Sequence, residues 1–423
     1  MRSWNAPALP NLPGHGGLPR IFDTPTGELR PLVVGDLAQL YVCGITPYDA
    51  THLGHAATYL AYDTLNRVLR DAGFRVDYVQ NVTDIDDPLL ERANETGVDW
   101  RDLAASQIDL YRGDMEALRI IPPEHYIGVV EAMDEIAAAC QKLLDDGYAY
   151  WVDSSTDSAD VGPDLYFDLA VAEELTTWYL GQESRYERDT MLRLSAERGG
   201  DPERPGKRDP LDPLLWRSER EGEPAWDSPV GRGRPGWHIE CSVIGDHYLT
   251  APITLTGGGL DLVFPHHGMS AAHSAALTGV DWSHSYSHAG LVALDGEKMS
   301  KSRGNLVFVS RLIADGADPR AIRLALLAHH YRSNWEWTRH DLEAAQRRLT
   351  AWTDWAADAT DGDLGLRDTL RAHLANDLDA PAALAAVDAA IEESRSRGLG
   401  PGHADIAAID ALLGVDVAAE RPL

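Results

Sequence analysis

Lysine is the scarcest charged residue in this chain of 423 amino acids. Only four lysines occur, so 33 of the 37 basic residues (37 minus 4) are arginine. Two of the four, Lys298 and Lys301, nevertheless lie within one stretch of five residues. Lysine is a compact point charge on a flexible stem, and arginine does not replace it where a mobile cation must reach a phosphate. The stretch is therefore a candidate for phosphate chemistry.

Cysteine is also rare, and its three copies, Cys43, Cys140 and Cys241, lie far apart. This spacing argues against a disulfide framework and favours a reducing compartment. The chain has no run of 18 apolar residues that could span a membrane. Residues 1–18 are rich in proline and glycine and lack the apolar core of a signal peptide. We therefore expect a cytoplasmic protein that does not cross a membrane.

Positive charge is scarce as well, because 67 acidic residues outnumber the basic ones and give a formal net charge of −30. Proteins that bind nucleic acids usually carry a basic patch or a basic overall balance. The acidic excess here is spread along the chain. We therefore expect no nucleic-acid partner.

The apolar pattern predicts an α/β fold. A short buried strand is predicted at 39–43, a helix from near His55 to Gly73, and a second strand at 74–82. A strand, a helix and a strand in this order open a nucleotide-binding domain with a parallel sheet. A later strand is predicted at 288–294.

The remaining segments divide the chain. Residues 101–147 have a helical pattern, and residues 1–150 are predicted to form the first half of the catalytic domain. Residues 151–230 are rich in Asp, Ser, Gly, Pro and Arg with short strand-like pieces, which is typical of an inserted α+β segment. The second half of the catalytic domain is expected at 231–310, and a helical domain at 311–423.

Two short motifs carry residues suited to ATP chemistry. Thr-His-Leu-Gly-His occupies residues 51–55, and Lys-Met-Ser-Lys-Ser occupies residues 298–302. At a helix start, the first motif turns two imidazoles and the helix N-terminus toward the phosphates of ATP, and its glycine admits the nucleotide close to the backbone. The two lysines can stabilise the charge that develops on a departing pyrophosphate. The candidate catalytic residues are His52, His55, Lys298 and Lys301.

Together, in this order, the two motifs resemble those of the class I aminoacyl-tRNA synthetases, whose catalytic domain is Rossmann-like. Further motifs narrow the resemblance to the cysteine-activating branch of that family. This branch contains the cysteinyl-tRNA synthetases and the related ligases that join cysteine to the amine of glucosaminyl-inositol in mycothiol synthesis. The resemblance extends over roughly residues 20–400. The motifs are Tyr-Val-Cys-Gly at 41–44, Asn-Val-Thr-Asp-Ile-Asp-Asp at 81–87, Gly-Trp-His-Ile-Glu-Cys at 236–241 and Phe-Pro-His-His at 264–267.

The resemblance implies a zinc site. Cys43, Cys241 and His266 come from three separate motifs and form a donor set suited to one tetrahedral Zn²⁺ with an open position. A cysteine substrate can fill that position with its thiolate, which zinc binds far better than a neutral hydroxyl. Cys140 lies on an apolar helix face and is interpreted as a core residue.

The resemblance also implies a pocket for the adenylate and an Mg²⁺ ion that accompanies ATP. Asp84, Asp86 and Asp87 leave two interpretations open, Mg²⁺ ligation or capping of a helix. The pocket residues implied are Cys43, Gly44, Ile45, Thr46, Thr58, Asn81, Val82, Thr83, Trp237, Gly259, Leu260, Asp261 and Val292.

Three departures from the tRNA enzymes indicate an amino-sugar acceptor. Ser270 stands where those enzymes have the second Glu of His-His-Glu-Asn-Glu, and Glu-Arg-Gly-Gly-Asp-Pro at 197–202 resembles the ligases. Only about forty residues follow Pro381, too few for an anticodon-reading module with its own core. We therefore expect a monomer that uses ATP, L-cysteine and glucosaminyl-inositol. The alternatives are a cysteinyl-tRNA synthetase without an anticodon domain and a non-catalytic zinc protein of synthetase descent.

Overall fold

The computed structural model describes residues 1–48, 51–153, 162–294, 297–298, 306–360, 362–398 and 400–419. The strands are β1 (Arg20–Asp23), β2 (Glu28–Pro31), β3 (Leu37–Val42), β4 (Arg75–Val82), β5 (His125–Gly128), β6 (Ala149–Val152), β7 (Asp164–Phe167), β8 (Leu214–Ser218), β9 (Gly233–Pro235), β10 (Leu255–Gly259), β11 (Tyr286–Ala289), β12 (Val292–Leu294), β13 (Glu297–Lys298) and β14 (Trp335–Glu336). The helices are α1 (Leu53–Asp71), α2 (Asp87–Thr96), α3 (Trp100–Ala117), α4 (Met133–Asp145), α5 (Leu169–Leu175), α6 (Arg188–Glu197), α7 (Trp237–Tyr248), α8 (Gly268–Thr278), α9 (Val309–Ala314), α10 (Pro319–Leu327), α11 (Arg339–Ala356), α12 (Leu366–Leu374), α13 (Ala380–Arg397) and α14 (His403–Ala408).

A five-stranded parallel sheet forms the centre of the fold, in the order β11-β10-β3-β4-β5. Its strands are largely buried, as expected when helices cover a parallel sheet. Helix α1 connects β3 to β4, so the predicted strand, helix and strand are confirmed and with them the α/β fold class.

A second sheet of four antiparallel strands, in the order β6-β7-β8-β9, overlaps the stretch 151–230 that the sequence marks as an insertion, but β6 begins before that stretch and β9 lies beyond its end. Between β7 and β8 the chain forms the short helices α5 and α6. The domain limits at residues 150, 230 and 310 stay a prediction.

Two predicted elements are wrong in part. The helical stretch 101–147 is interrupted by β5, after a Pro-Pro pair at 122–123 that cannot continue a helix. The strand predicted at 288–294 is divided into β11 and β12, which belong to different sheets. The division falls at Gly290, where an added Cβ would lie 2.2 Å from the carbonyl oxygen of Ser333.

Three charged side chains buried between α1 and α10 hold the C-terminal helices against the catalytic sheet. Arg67 Nε donates to Asp63 Oδ2 at 2.8 Å, and the Arg323 guanidinium pairs with the same carboxylate. Arg323 also donates to the carbonyl oxygens of Leu118 and Leu413 at 2.7 and 2.6 Å. Burial disfavours the ionised carboxyl, yet the two arginines hold the pKa of Asp63 below its usual value. The cluster therefore fixes α1, whose first residues face the site.

Among the helices of the described residues, none combines the length and apolar character that crossing a bilayer requires.

Candidate active site

The carboxyl ends of the central strands border a cavity of about 970 Å³. Strand β3 ends directly before Cys43, β10 ends at Gly259, and Val292 follows β11. Residues of β7, β8 and β9 line the cavity as well, so both sheets contribute to its wall. Ligands of open parallel sheets bind at this edge.

His52 and His55 stand at the first turn of α1, and both line the cavity. Their rings stack with centroids 3.7 Å apart. His52 Nδ1 accepts hydrogen bonds from the backbone N–H groups of Gly54 and His55 at 3.1 and 3.4 Å, which caps the helix. The neutral His52 ring then carries its proton on Nε2. A Cβ at Gly54 would lie 2.8 Å from that ring, so only glycine fits between the two histidines.

Cys43, which lines the cavity, forms a cluster with Cys241 and His266. Their ligand atoms all lie within 4.8 Å of one another, and each residue is at most 5% exposed. His266 belongs to a π-helical turn, Val263–His267, and its Nε2 is 3.2 Å from Cys241 Sγ, which α7 presents. The other ring nitrogen, Nδ1, lies 3.0 Å from His238 Nδ1. The predicted convergence of three distant motifs is therefore present as a cluster that could bind a metal.

The protonation chemistry of this cluster fits a divalent cation. Burial holds the pKa of His266 well below its usual value, so its ring is neutral, as metal ligation requires. Burial raises the pKa of the Cys43 thiol, and the adjacent Cys241 raises it further. The buried Cys43 thiol becomes a thiolate more readily if a cation offsets its charge. Two sulfurs and one imidazole match the ligands of zinc sites that keep a fourth position open.

Three further side chains form a line of contacts that begins at Cys43. Cys43 Sγ lies 3.3 Å from His267 Nε2, His267 Nδ1 lies 2.8 Å from His288 Nε2, and His288 Nδ1 lies 2.7 Å from Thr24 Oγ1. Burial lowers the pKa of His267 to about 3, so this ring is also neutral. Such outer partners orient metal ligands. Sequence reasoning missed Thr24 and His288, which belong to none of the motifs.

Most of the residues implied for the adenylate pocket line the cavity. Asn81 and Val82 are instead buried within β4, and Thr83 is buried directly after the end of that strand. Asn81 Oδ1 accepts from the Gly44 N–H at 2.8 Å, so it positions a cavity residue. Leu260 begins a single 3₁₀ turn, Leu260–Leu262. The implied residues that line the cavity are Cys43, Gly44, Ile45, Thr46, Thr58, Trp237, Gly259, Asp261 and Val292.

The lysine motif is described only in part. Strand β13, Glu297–Lys298, pairs with β12, and Val292 at the start of β12 lines the cavity. Lys301 lies outside the described residues, so its predicted position is not tested.

Hydrogen bonds favour a structural role for two of the three carboxylates of the acidic motif. Asp86 caps α2, since its Oδ1 accepts from the Asp87 N–H at 2.8 Å. Asp84 Oδ1 accepts from the Val130 N–H at 2.9 Å. Capping and loop support therefore account for Asp84 and Asp86. Ser270 is likewise used within the fold, because its Oγ donates to the His238 carbonyl oxygen at 3.1 Å.

The chain belongs to the tRNA synthetases class I (C) family, whose catalytic-domain model matches residues 31–347. The resemblance to class I synthetases is thereby confirmed. Two solved structures with little sequence identity share the fold. They are Mycobacterium tuberculosis methionyl-tRNA synthetase with methionyl-adenylate (TM-score 0.58, 18% identity, 90% of this chain and 88% of that one) and Agrobacterium radiobacter LeuRS in a ternary complex with tRNA (TM-score 0.61, 13% identity, 91% and 84%).

Within that family, curated relatives match this chain over nearly the whole of both chains. It is 60% identical to the L-cysteine:1D-myo-inositol 2-amino-2-deoxy-alpha-D-glucopyranoside ligase of Clavibacter michiganensis, over 98% of each chain. It is 56% identical to the ligase of the same name from Nakamurella multipartita, over 98% of this chain and 99% of that one.

Proposed function

We propose that this chain is an ATP-dependent ligase that joins L-cysteine to the amine of glucosaminyl-inositol and releases AMP and pyrophosphate. The observation that carries the proposal is one cavity lined both by Cys43 of the Cys43–Cys241–His266 cluster and by His52 and His55 at the start of α1. The first feature suits a thiol substrate and the second suits ATP phosphates. Relatives of the same length at 60% identity bear the name of this reaction.

The first step activates cysteine. A carboxylate oxygen of cysteine attacks the α-phosphorus of Mg-ATP, an O–P bond forms, and the bond from that phosphorus to the bridging oxygen breaks to release pyrophosphate. His52, protonated on Nε2, and His55 bind the phosphates at the helix start, where backbone N–H groups also favour anions. Lys298 and Lys301 stabilise the charge that develops on pyrophosphate.

The second step forms the amide. The unprotonated amine of the acceptor attacks the carbonyl carbon of cysteinyl-adenylate, the C–O bond to AMP breaks, and the amine loses one proton. No protein nucleophile takes part, so the chain contributes mainly binding and orientation. Residues at the strand ends, among them Gly44 and Asp261, would hold the adenylate.

The donor set Cys43, Cys241 and His266 would hold one Zn²⁺. When bound, this ion supplies a soft ligand site for the substrate thiolate and thereby selects cysteine. The residues behind it, His238 and His267, orient the ligands through the contacts described above. A cytoplasmic location and a monomeric state also remain predictions from the sequence.

Release of AMP with different acceptors tests the proposed function. We expect the purified protein to release AMP from ATP and cysteine in the presence of glucosaminyl-inositol, and not to charge tRNA with cysteine. The reaction without acceptor is the control for slow hydrolysis of the adenylate. Efficient tRNA cysteinylation without turnover of the amino sugar would instead identify a cysteinyl-tRNA synthetase. Absence of cysteine-dependent pyrophosphate exchange would favour the non-catalytic alternative.

A further inference from the structure

The part of the cavity that the second sheet borders carries charged side chains that neither ATP nor cysteine requires. Over the whole cavity, the described lining residues include seven carboxylates and six arginine or lysine side chains. Such a wall has no positive excess to attract a nucleic-acid backbone. A mixture of acceptors and donors instead suits a ligand with many hydroxyl groups, each of which both donates and accepts.

Asp201 presents a fixed carboxylate in this wall. Its Oδ1 accepts from Lys207 Nζ at 2.9 Å, and its Oδ2 accepts from the Tyr166 hydroxyl. The Lys207 side chain is only 3% exposed, whereas that of Asp201 is 42% exposed. Lys207 also donates to the Pro210 carbonyl oxygen at 2.7 Å. A chain with four lysines thus buries one of them beneath this carboxylate, which leaves the remaining lone pairs of Asp201 open to the cavity.

The backbone conformation of the two glycines before Asp201 places this residue in the cavity wall. Gly199 has a left-handed backbone with φ +87°, a conformation that other residues rarely adopt. A Cβ at Gly200 would lie 2.2 Å from Ser195 Oγ, so the chain packs tightly against the last turn of α6. Both glycines line the cavity together with Asp201.

Hydrogen bonds from Arg198 connect the same segment to the catalytic half of the chain. Arg198 Nη1 donates to the Asp261 carbonyl oxygen at 2.5 Å and to the Phe264 carbonyl oxygen, two residues before His266. The Asp201 carboxylate lines the same cavity as Asp261 and Cys43 and lies outside the metal cluster.

From this geometry we infer that Asp201 is an acceptor-binding residue, whose carboxylate accepts hydrogen bonds from hydroxyl groups of the polyhydroxylated amine. The inference rests on the proposed function and assigns part of its second substrate site. Because the carboxylate binds the acceptor and takes no part in adenylation, its loss should affect only the second step.

The variant Asp201→Asn tests this role, because it keeps the shape and removes the charge. We expect the KM for glucosaminyl-inositol to rise about 10- to 100-fold, as expected for loss of a charged hydrogen bond, with kcat changed far less. Cysteine-dependent pyrophosphate exchange should stay within about twofold of wild type, which also reports that the variant is folded. Glu197→Gln is the matched control, since Glu197 lies in the same motif but forms an exposed pair with Arg193 at 2.9 Å. It should leave both readouts unchanged.

The outcomes separate the two proposals. An unchanged acceptor KM in Asp201→Asn, with wild-type turnover of the amino sugar, would overturn the inference and leave the proposed function standing. A parallel loss of pyrophosphate exchange and transfer would also overturn it, because Asp201 would then support the fold of the site. If the wild-type protein does not turn over the amino sugar, the proposed function itself fails.

Discussion

Serine should be activated at least about 10⁴-fold less efficiently than cysteine. With Zn²⁺ bound as proposed, the three donors of the Cys43–Cys241–His266 cluster would leave one ligand position for the substrate, which a thiolate fills far better than a neutral hydroxyl. A site built around one ligating group rejects analogues without it by about 10⁴ to 10⁵. Pyrophosphate exchange with cysteine and serine, measured side by side as kcat/KM, gives the ratio.

A second substrate analogue distinguishes the effect of metal ligation from the effect of side-chain size. 2-Aminobutyrate fills the same space as cysteine without a ligating atom, so we expect it to be activated no better than serine. Comparable rates for cysteine and serine would contradict the account, because the metal would then have a structural role only.

The variant Cys241→Ala should lose its metal and most of its activity. Wild-type protein is expected to contain about one zinc per chain, since its three donors lie within 4.8 Å of one another. With only two donors left, the zinc content should fall to near zero. Pyrophosphate exchange with cysteine should fall more than about 100-fold, because loss of outer-shell partners alone costs about 10- to 100-fold. Metal analysis and exchange assays on the same preparations measure both effects.

The matched control is Cys140→Ala. Cys140 is as buried as Cys241, but it lies on α4 and its thiol donates to the Leu215 carbonyl oxygen at 3.6 Å, away from the cluster. This variant should keep its zinc and its exchange activity. A zinc content in Cys241→Ala equal to that of Cys140→Ala would show that the metal binds elsewhere.

The sequence predicted the local elements of the catalytic half because their signals are local. Strand β3, helix α1 and strand β4 follow from apolar periodicity. The motif resemblance then indicated that Cys43, Cys241 and His266 converge. In the structure they do so because one follows a strand of the parallel sheet and the others lie on elements beside its carboxyl edge.

The features that the sequence did not predict depend on contacts between distant residues. The division of 288–294 into two strands reflects the approach of Gly290 to Ser333, which no local pattern records. The support of Cys43 by His267, His288 and Thr24 joins four separate segments. A cluster of histidines in the sequence is a weak signal by itself, since a buried histidine is common in a core.

The acceptor side of the cavity is a further example. The Glu-Arg-Gly-Gly-Asp-Pro motif at 197–202 resembles that of the ligases, yet the sequence alone does not distinguish the roles of its residues. The structure places Asp201 on the cavity wall and Glu197 in an exposed ion pair. That distinction depends on the turn at Gly199 and Gly200 and on the buried Lys207, and both become visible only once the chain is folded.

The fate of the carboxylate oxygens of cysteine tests the central claim most directly. The wild-type protein is incubated with ATP, glucosaminyl-inositol and cysteine labelled with ¹⁸O at both carboxylate oxygens. The ¹⁸O content of the products is then measured by mass spectrometry. Because one oxygen attacks the α-phosphorus and leaves with it, we predict one ¹⁸O in AMP and one in the cysteinyl amide of the amino sugar. Unlabelled AMP, or labelled AMP without the amide, would contradict the account.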